Sequence, residues 1–98
     1  MKSRFAPDAQ LELLDAAHYY DDRQPGLGEQ FLDEFGHAID TLIHFPELGT
    51  PIDNTKRAYH LKRFPFRLIY AVRHDTLLVI AVAHTRHNPG YWKSRTKS

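Results

Sequence analysis

Cysteine is absent from this chain of 98 residues. Without cysteine there can be no disulfide framework, no thiolate zinc site and no cysteine nucleophile. The sequence also lacks an apolar run of about 18 residues, which a membrane-spanning helix would need, and a charged-then-apolar leader typical of a signal peptide. We therefore expect a cytoplasmic protein without a membrane partner.

Serine and glycine are too sparsely placed for two common enzyme classes. None of the three serines, Ser3, Ser94 and Ser98, stands in the strand-turn-helix elbow of a serine hydrolase. The five glycines form no glycine-rich phosphate loop. Hydrophobic residues make up 42% of the chain and charged residues 26%, as in ordinary globular proteins, and no linker or repeat divides it. We predict a single domain over residues 1–98.

Carboxylates are almost missing from the second half of the chain. Residues 1–53 carry three cations and eleven carboxylates, a net charge of −8, whereas residues 54–98 carry ten cations and Asp75 alone, a net charge of +9. One explanation is a partner that prefers one face, either an anionic polymer or an acidic protein segment. The other is that the two halves neutralise each other within the fold.

The first half has the period of two amphipathic helices. After a short extended start at Lys2 to Phe5, Pro7 suits the first turn of a helix because its missing N–H would have no partner there. Arg23-Gln24-Pro25-Gly26 then breaks the pattern. In this first helix we expect the acidic residues Glu12, Asp15 and Asp22 opposite an apolar stripe of Ala9, Leu13, Ala16, Ala17 and Tyr20.

The second helix is the clearest pattern in the sequence, and Phe45-Pro46 ends it. Because few residues separate the two helices, they must pack antiparallel as a hairpin with apolar faces to bury. The predicted polar face holds Glu29, Asp33, His37, Asp40 and His44, and the predicted apolar stripe holds Leu27, Phe31, Phe35, Ala38, Leu42 and Phe45.

After Pro51 the period becomes that of strands. Ala58 to Leu61 and Phe66 to Arg73 are predicted strands, and His74 to Thr76 is a predicted turn. Leu77 to Ala83 is continuously apolar, which indicates a strand inside the sheet and covered on both faces. The sequence therefore predicts an α+β fold of order β-α-α-β-β-β, in which an N-terminal helical hairpin packs on a small, mostly antiparallel sheet.

The polar clusters give little support for metal or acid–base chemistry. His84 and His87 have a possible ligand spacing, but a zinc site needs three or four ligands and no carboxylate follows Asp75. We therefore expect no metal and no cofactor. The pairs Asp21-Asp22 and Asp33-Glu34 point about 100° apart on a helix, so each is expected to be a solvated face.

The segment HTRHNPGYWKSR, from His84 to Arg95, remains as the candidate functional region. It leaves the rim of the sheet, and Pro89-Gly90 turns the chain to present an aromatic pair. Arginine and aromatic residues are common at binding hot spots, so we predict a target contact made by Arg86, Tyr91, Trp92 and Arg95. The alternative is that Tyr91 and Trp92 pack the end of the chain against the sheet.

A second chemistry would use part of the same region. Metal-free cleavage of RNA needs a base, an acid and cations that stabilise the charge on the phosphorane. The residues that could fill those roles are Arg67, His84, Arg86, His87 and Tyr91.

Several segments of the chain resemble the ParE branch of the RelE/ParE superfamily of type II toxins. They are Tyr19-Tyr20, Gly26-Leu27-Gly28 with Phe31, Phe45-Pro46, LKRFPFRLIY at residues 61–70, IAVAH at residues 80–84 and R-x-x-P-G-Y-W-x-x-R at residues 86–95. The resemblance covers nearly the whole chain and implies a RelE/ParE-like fold. It also implies a toxin that a cognate antitoxin holds inactive, with the C-terminal segment of the antitoxin wrapped along the helical hairpin and the sheet.

The two branches of the superfamily imply different targets. ParE-type toxins are understood to arrest growth by inhibiting DNA gyrase, whereas RelE-type toxins cleave messenger RNA on the ribosome. The nearly neutral chain with acidic helices, together with the PGYW ending, favours a plasmid-stabilisation toxin that binds gyrase and forms a hetero-oligomer with its antitoxin. Arg67 and Arg86 with Tyr91 are similar to the RelE pattern, so a ribosome-dependent mRNA interferase stays the alternative.

Overall fold

Two helices cover one face of a five-stranded sheet in this computed structural model, which describes residues 1–95. Thr96, Lys97 and Ser98, the end of the predicted domain, lie outside the described residues. The elements are β1 Lys2–Phe5, α1 Pro7–Arg23, α2 Leu27–His44, β2 Thr50–Pro51, β3 Lys56–His60, β4 Phe66–Arg73 and β5 Thr76–His84, followed by a short 3-10 turn at Lys93–Arg95.

The sheet is mostly antiparallel, with the strand order β1-β5-β4-β3-β2. Only β1 runs parallel to its neighbour β5. The predicted β-α-α-β-β-β fold is therefore confirmed, and β5 lies inside the sheet as its apolar run predicts. The extra strand β2 was not predicted because it has only two residues, one of them Pro51, which is tolerated at the edge of a sheet.

The helical hairpin forms as predicted, with two differences. The second helix ends at His44, and the side chain of Phe45, assigned to its buried stripe, is 63% exposed because it lies beyond the last helical turn. Glu12, assigned to the polar side of α1, is half-buried between that helix and β5. Within residues 1–95, neither helix is long and apolar enough to cross a membrane.

The main core lies between the helices and the sheet. A β-bulge at Ile80 gives β5 one residue more than β4 at this point, so that Val79 and Val82 both face the helices although they are three residues apart. The aromatic rings of Tyr20 and Phe31 pack edge-on or tilted against their neighbours, with centroids 4.8 to 6.4 Å apart. The largest side chains of this core that are completely buried are Tyr70, Phe31, Leu42, Leu68, Leu77 and Val79.

A second, smaller core lies on the face of the sheet opposite the helices. Trp92 packs there against a set of small and branched side chains from three strands. They are Ala58, Ile69, Ala71, Ile80 and Ala81. The end of the chain thus covers the face that the helices leave open, which explains why β5 is apolar on both sides.

The charge split follows the layers of the fold. The helices α1 and α2 carry nine carboxylates and one cation, whereas the described strands carry six cations and no Asp or Glu. The acidic layer thus lies on one face of a basic sheet.

Candidate functional site

The C-terminal segment, defined here as residues 85–95, folds back against the sheet after β5. The backbone N–H of Thr85 donates to the carbonyl oxygen of Pro65 at 2.9 Å, and the N–H of His87 donates to the carbonyl of His84 at 2.9 Å. Gly90 turns the chain at a φ of 82°, in the left-handed region that favours glycine. Tyr91 and Arg95 are thereby brought back to the edge of β5, and Trp92 to the face of the sheet opposite the helices.

That edge is only partly covered by backbone pairing. The strand β1 ends at Phe5, opposite Val79, and the last bond on that side runs from the N–H of Ala6 to the carbonyl of Val79 at 2.9 Å. Unpaired backbone groups on a strand edge are costly when they are buried. Here side chains pair with them: the N–H of Val82 donates to Glu12 Oε1 at 3.0 Å, and Arg95 Nη1 donates to the carbonyl of Ile80 at 3.2 Å.

Glu12 and Arg95 also bind each other in a bidentate arrangement. The guanidinium donates from Nη1 to Oε1 at 2.8 Å and from Nη2 to Oε2 at 3.0 Å. The hydroxyl of Tyr91 donates to Glu12 Oε2 at 2.5 Å, and the Arg95 guanidinium lies 4.9 Å from the centre of the Tyr91 ring. Charge-assisted forks of this kind are among the stronger polar contacts in proteins. One carboxylate on α1 thus holds the far end of the C-terminal segment.

The electrostatics of the cluster favour one set of protonation states. Burial raises the pKa of Glu12, but hydrogen bonds from Arg95, Tyr91 and the Val82 amide outweigh it and leave that pKa below its ordinary value. Burial also raises the pKa of the Tyr91 phenol, and the adjacent Glu12 raises it further. At neutral pH the carboxylate is therefore charged and the phenol keeps its proton.

Trp92 is buried rather than displayed. Its side chain is 2% exposed and belongs to the second core, and its indole Nε1 has no hydrogen-bond partner within residues 1–95. A direct contact between Trp92 and a target would require an accessible ring, which this arrangement does not provide. The structure therefore favours the packing alternative for this residue.

Of the four predicted target-contact residues, only Arg86 is exposed. The side chains of Tyr91 and Arg95 are half-buried against Glu12. The ring of His87 stacks on Tyr91 with centroids 3.7 Å apart, and His84 Nδ1 accepts the N–H of Arg86 at 3.0 Å. These contacts fix the backbone on both sides of Arg86.

A groove separates α1 from the C-terminal segment. Its volume is about 480 Å³. The lining side chains include Tyr19, Phe66, His84, His87 and Tyr91. The two histidines thus lie in one wall of an aromatic groove, on the side of the sheet that the helices cover.

Three of the five residues of the ribonuclease alternative, His84, His87 and Tyr91, line the same groove, but the two arginines do not line it. His84 pairs with Phe66, which packs against the helix-side core, whereas Arg67 pairs with Ala83. Since successive strand residues face opposite sides of a sheet, Arg67 points away from His84. The Tyr91 hydroxyl is in turn committed to Glu12. The geometry therefore brings together part of the set predicted for RNA cleavage and leaves Arg67 on the opposite face of the sheet.

Within the described residues, no group of three or more His, Cys, Asp or Glu side chains is placed to hold a metal ion. Two glutamates that the sequence assigned to solvated faces do, however, make tertiary contacts. Glu34 Oε2 accepts the backbone N–H groups of Lys62 at 2.7 Å and Arg63 at 3.1 Å, while Oε1 binds the Arg63 guanidinium. Glu12 is the other. The sequence offers one signal for it, since position 12 is three residues after Ala9 and four before Ala16, on the buried face of α1.

Comparison with known proteins identifies the family. Residues 4–89 match the family model described as the ParE toxin of the type II toxin-antitoxin system, parDE. No curated protein matches closely enough to count as a relative. Among solved structures, a chain of the chromosomal ParDE TA system from P. aeruginosa superposes with a TM-score of 0.74 at 15% sequence identity, covering 86% of this chain and 95% of that chain.

At that identity the structural likeness shows the fold alone, so the family match decides the assignment. It runs from β1 to the turn that follows β5. The chain therefore belongs to the ParE toxin family of type II toxin–antitoxin systems.

Proposed function

We propose that this ParE-family protein arrests bacterial growth by binding DNA gyrase and that a cognate antitoxin neutralises it. The family match over residues 4–89 carries the proposal, because the ParE branch is the one whose motifs the chain resembles. The separation of Arg67 from His84 on opposite faces of the sheet supports the same choice over the RelE-type ribonuclease. This function places the protein in the cytoplasm, in a hetero-oligomer with its antitoxin.

The contact with gyrase is assigned to the C-terminal segment, with Arg86 as the residue that meets the target. Arg86 is exposed, whereas the less exposed side chains of Tyr91, Trp92 and Arg95 hold the C-terminal segment against α1 and the sheet. An arginine on a segment whose backbone is fixed loses less conformational entropy on binding than one on a free tail, so Arg86 is well suited to be a hot spot.

The helical layer is assigned to the antitoxin. It is strongly acidic and also displays large apolar side chains: Leu11 and Leu14 lie one turn apart on α1, and Phe45 and Leu48 follow α2. Exposed apolar side chains with charged neighbours are typical of protein-binding surfaces. This surface suits an antitoxin segment that carries apolar and basic side chains.

The purified chain tests the proposal in two parallel assays, gyrase supercoiling and ribosome-dependent cleavage of messenger RNA. We expect inhibition of supercoiling without cleavage. Arg86→Ala should raise the inhibitory concentration about tenfold or more, equivalent to about 1.4 kcal/mol. The matched control is Arg4→Ala, which removes an exposed arginine from the edge strand β1, where it lies opposite Leu78 and away from the His84 end of β5. Cleaved transcripts with unaffected supercoiling would contradict the proposal and favour the interferase.

A further inference from the structure

We propose that Glu12, on the first helix, is the positioning residue of the target contact. The inference rests on the proposed function and deepens it: Glu12 contacts no target, but it holds Tyr91 and Arg95 on the free edge of β5. The chain between His84 and Tyr91 thereby becomes a loop fixed at both ends, and Arg86 lies within that loop.

The contacts of Glu12 converge from three parts of the chain. Its two carboxylate oxygens accept the Val82 amide in β5, the Tyr91 hydroxyl and two guanidinium nitrogens of Arg95. The Arg95 guanidinium also approaches Asp8, with Nε 3.5 Å from Oδ2, one turn earlier on α1. A carboxylate suits this place because every partner is a donor, and an amide of the same shape would direct an N–H group at one of them.

The physical role of the bond is to restrict the loop. If Tyr91 and Arg95 are released, residues 85–91 gain conformational freedom, and ordering them again costs conformational free energy each time the protein binds its target. Trp92 would still anchor the chain on the other face of the sheet. The question for experiment is therefore whether packing by Trp92 alone keeps Arg86 in place.

The test compares Glu12→Gln with the wild type by amide hydrogen exchange, growth arrest on induced expression in a bacterial host, and gyrase supercoiling. The amides of Val82, His87 and Tyr91 report on the edge and the loop, because all three are hydrogen-bonded in the wild type. We expect them to exchange about tenfold faster or more in Glu12→Gln, and the toxin concentration needed for inhibition to rise by a similar factor.

Three further variants separate positioning from general stability. Asp75→Asn makes the same carboxylate-to-amide change in the exposed turn between β4 and β5, outside both the helical layer and the C-terminal segment, and should leave all three readouts unchanged. Tyr70→Phe removes a hydroxyl that bonds Pro46 and Gly49 away from the C-terminal segment. It should lower the melting temperature while growth arrest is kept. Arg95→Gln breaks the same fork from the other side and replaces Glu12→Gln if that variant does not fold.

The outcomes are distinguishable. Unchanged amide hydrogen exchange in both Glu12→Gln and Arg95→Gln would overturn the proposal. Faster exchange together with undiminished growth arrest would also overturn it. Loss of growth arrest in Tyr70→Phe, when this variant is as stable as Glu12→Gln, would also overturn the proposal. The lower stability alone would then explain the loss of arrest in Glu12→Gln. If the wild type arrests growth without affecting supercoiling, the gyrase assignment fails and growth arrest alone decides the role of Glu12. A wild type that does neither would overturn both.

Discussion

Replacing Trp92 with alanine should destabilise the whole domain, although the residue lies only a few positions from the end of the chain. The indole ring is 2% exposed and fills the second core against Ala58, Ile69, Ala71 and their neighbours. These side chains are small or branched, and they lie on paired strands that cannot move together to fill the space. The cavity left by the ring should therefore stay open.

The size of the effect follows from the buried area. Burying an aromatic ring removes about 150 to 250 Å² from water. Truncating a buried Trp to alanine costs about 3 to 5 kcal/mol, out of a total stability of about 5 to 15 kcal/mol for a domain of this size. At about 4 °C or more per kcal/mol, the melting temperature should fall by about 12 °C or more.

Thermal and urea denaturation, followed by circular dichroism, measure this effect. Two aromatic substitutions serve as controls. Trp92→Phe keeps most of the ring and removes an indole N–H that has no partner within residues 1–95, so it should cost less than about 1.5 kcal/mol. Tyr19→Ala truncates a half-exposed ring on α1 and should cost about 1 kcal/mol. If Trp92→Ala were no more destabilising than Tyr19→Ala, the second core would not contribute to stability and Trp92 would be free to contact a target.

Two further predictions concern pH and the packing of the helices. Because the folded pKa of Glu12 lies below its unfolded value, Glu12 contributes to the free energy of unfolding at neutral pH. That contribution is lost as the pH falls below about 4.5 and through the folded pKa. The urea midpoint of Glu12→Gln should therefore fall less steeply with acid than that of the wild type. Gly28→Ala should destabilise the folded protein by about 1 kcal/mol or more, since an added Cβ would lie 2.3 Å from the carbonyl oxygen of Ala17. An added Cβ at Gly36 meets open space, so Gly36→Ala should stabilise the folded protein by up to about 1 kcal/mol. Equal effects of the two glycine substitutions on the urea midpoint would contradict the close approach of the helices.

The fold was predictable because the spacing of the apolar residues along the sequence indicates which face each helix or strand buries. The stripe of α2 and the apolar run of β5 each predict their element, and the Pro and Gly positions predict the breaks between them. The predictions were wrong where the spacing of apolar residues does not indicate the structure. The strand β2 is too short to show alternation, and Phe45 continues the stripe of α2 in sequence after the helix has ended.

The role of the C-terminal aromatic residues could not be predicted by the same reasoning. Arg, Tyr and Trp are enriched at binding hot spots, but Tyr and Trp also suit cores in which one polar atom finds a partner. What decides between these roles is the presence of a partner group on another element. For Tyr91 and Arg95 that group is the carboxylate of Glu12, which lies 79 and 83 residues earlier in the chain. No local pattern connects positions so far apart.

The same partner also changes the meaning of the charge split. The two halves of the chain do not simply neutralise each other, because the helices remain acidic on their exposed side and Glu29, Asp33 and Asp40 are exposed. The charge split does not serve only the binding of other molecules either, because Glu12 and Glu34 bind cationic or amide groups in the second half of the chain. The carboxylates that tie the layers together are those beside the buried stripes, and those on the far side form an acidic surface. That division predicts that removing Glu12 or Glu34 perturbs the toxin itself, whereas removing Glu29 or Asp33 alters only the binding of the antitoxin.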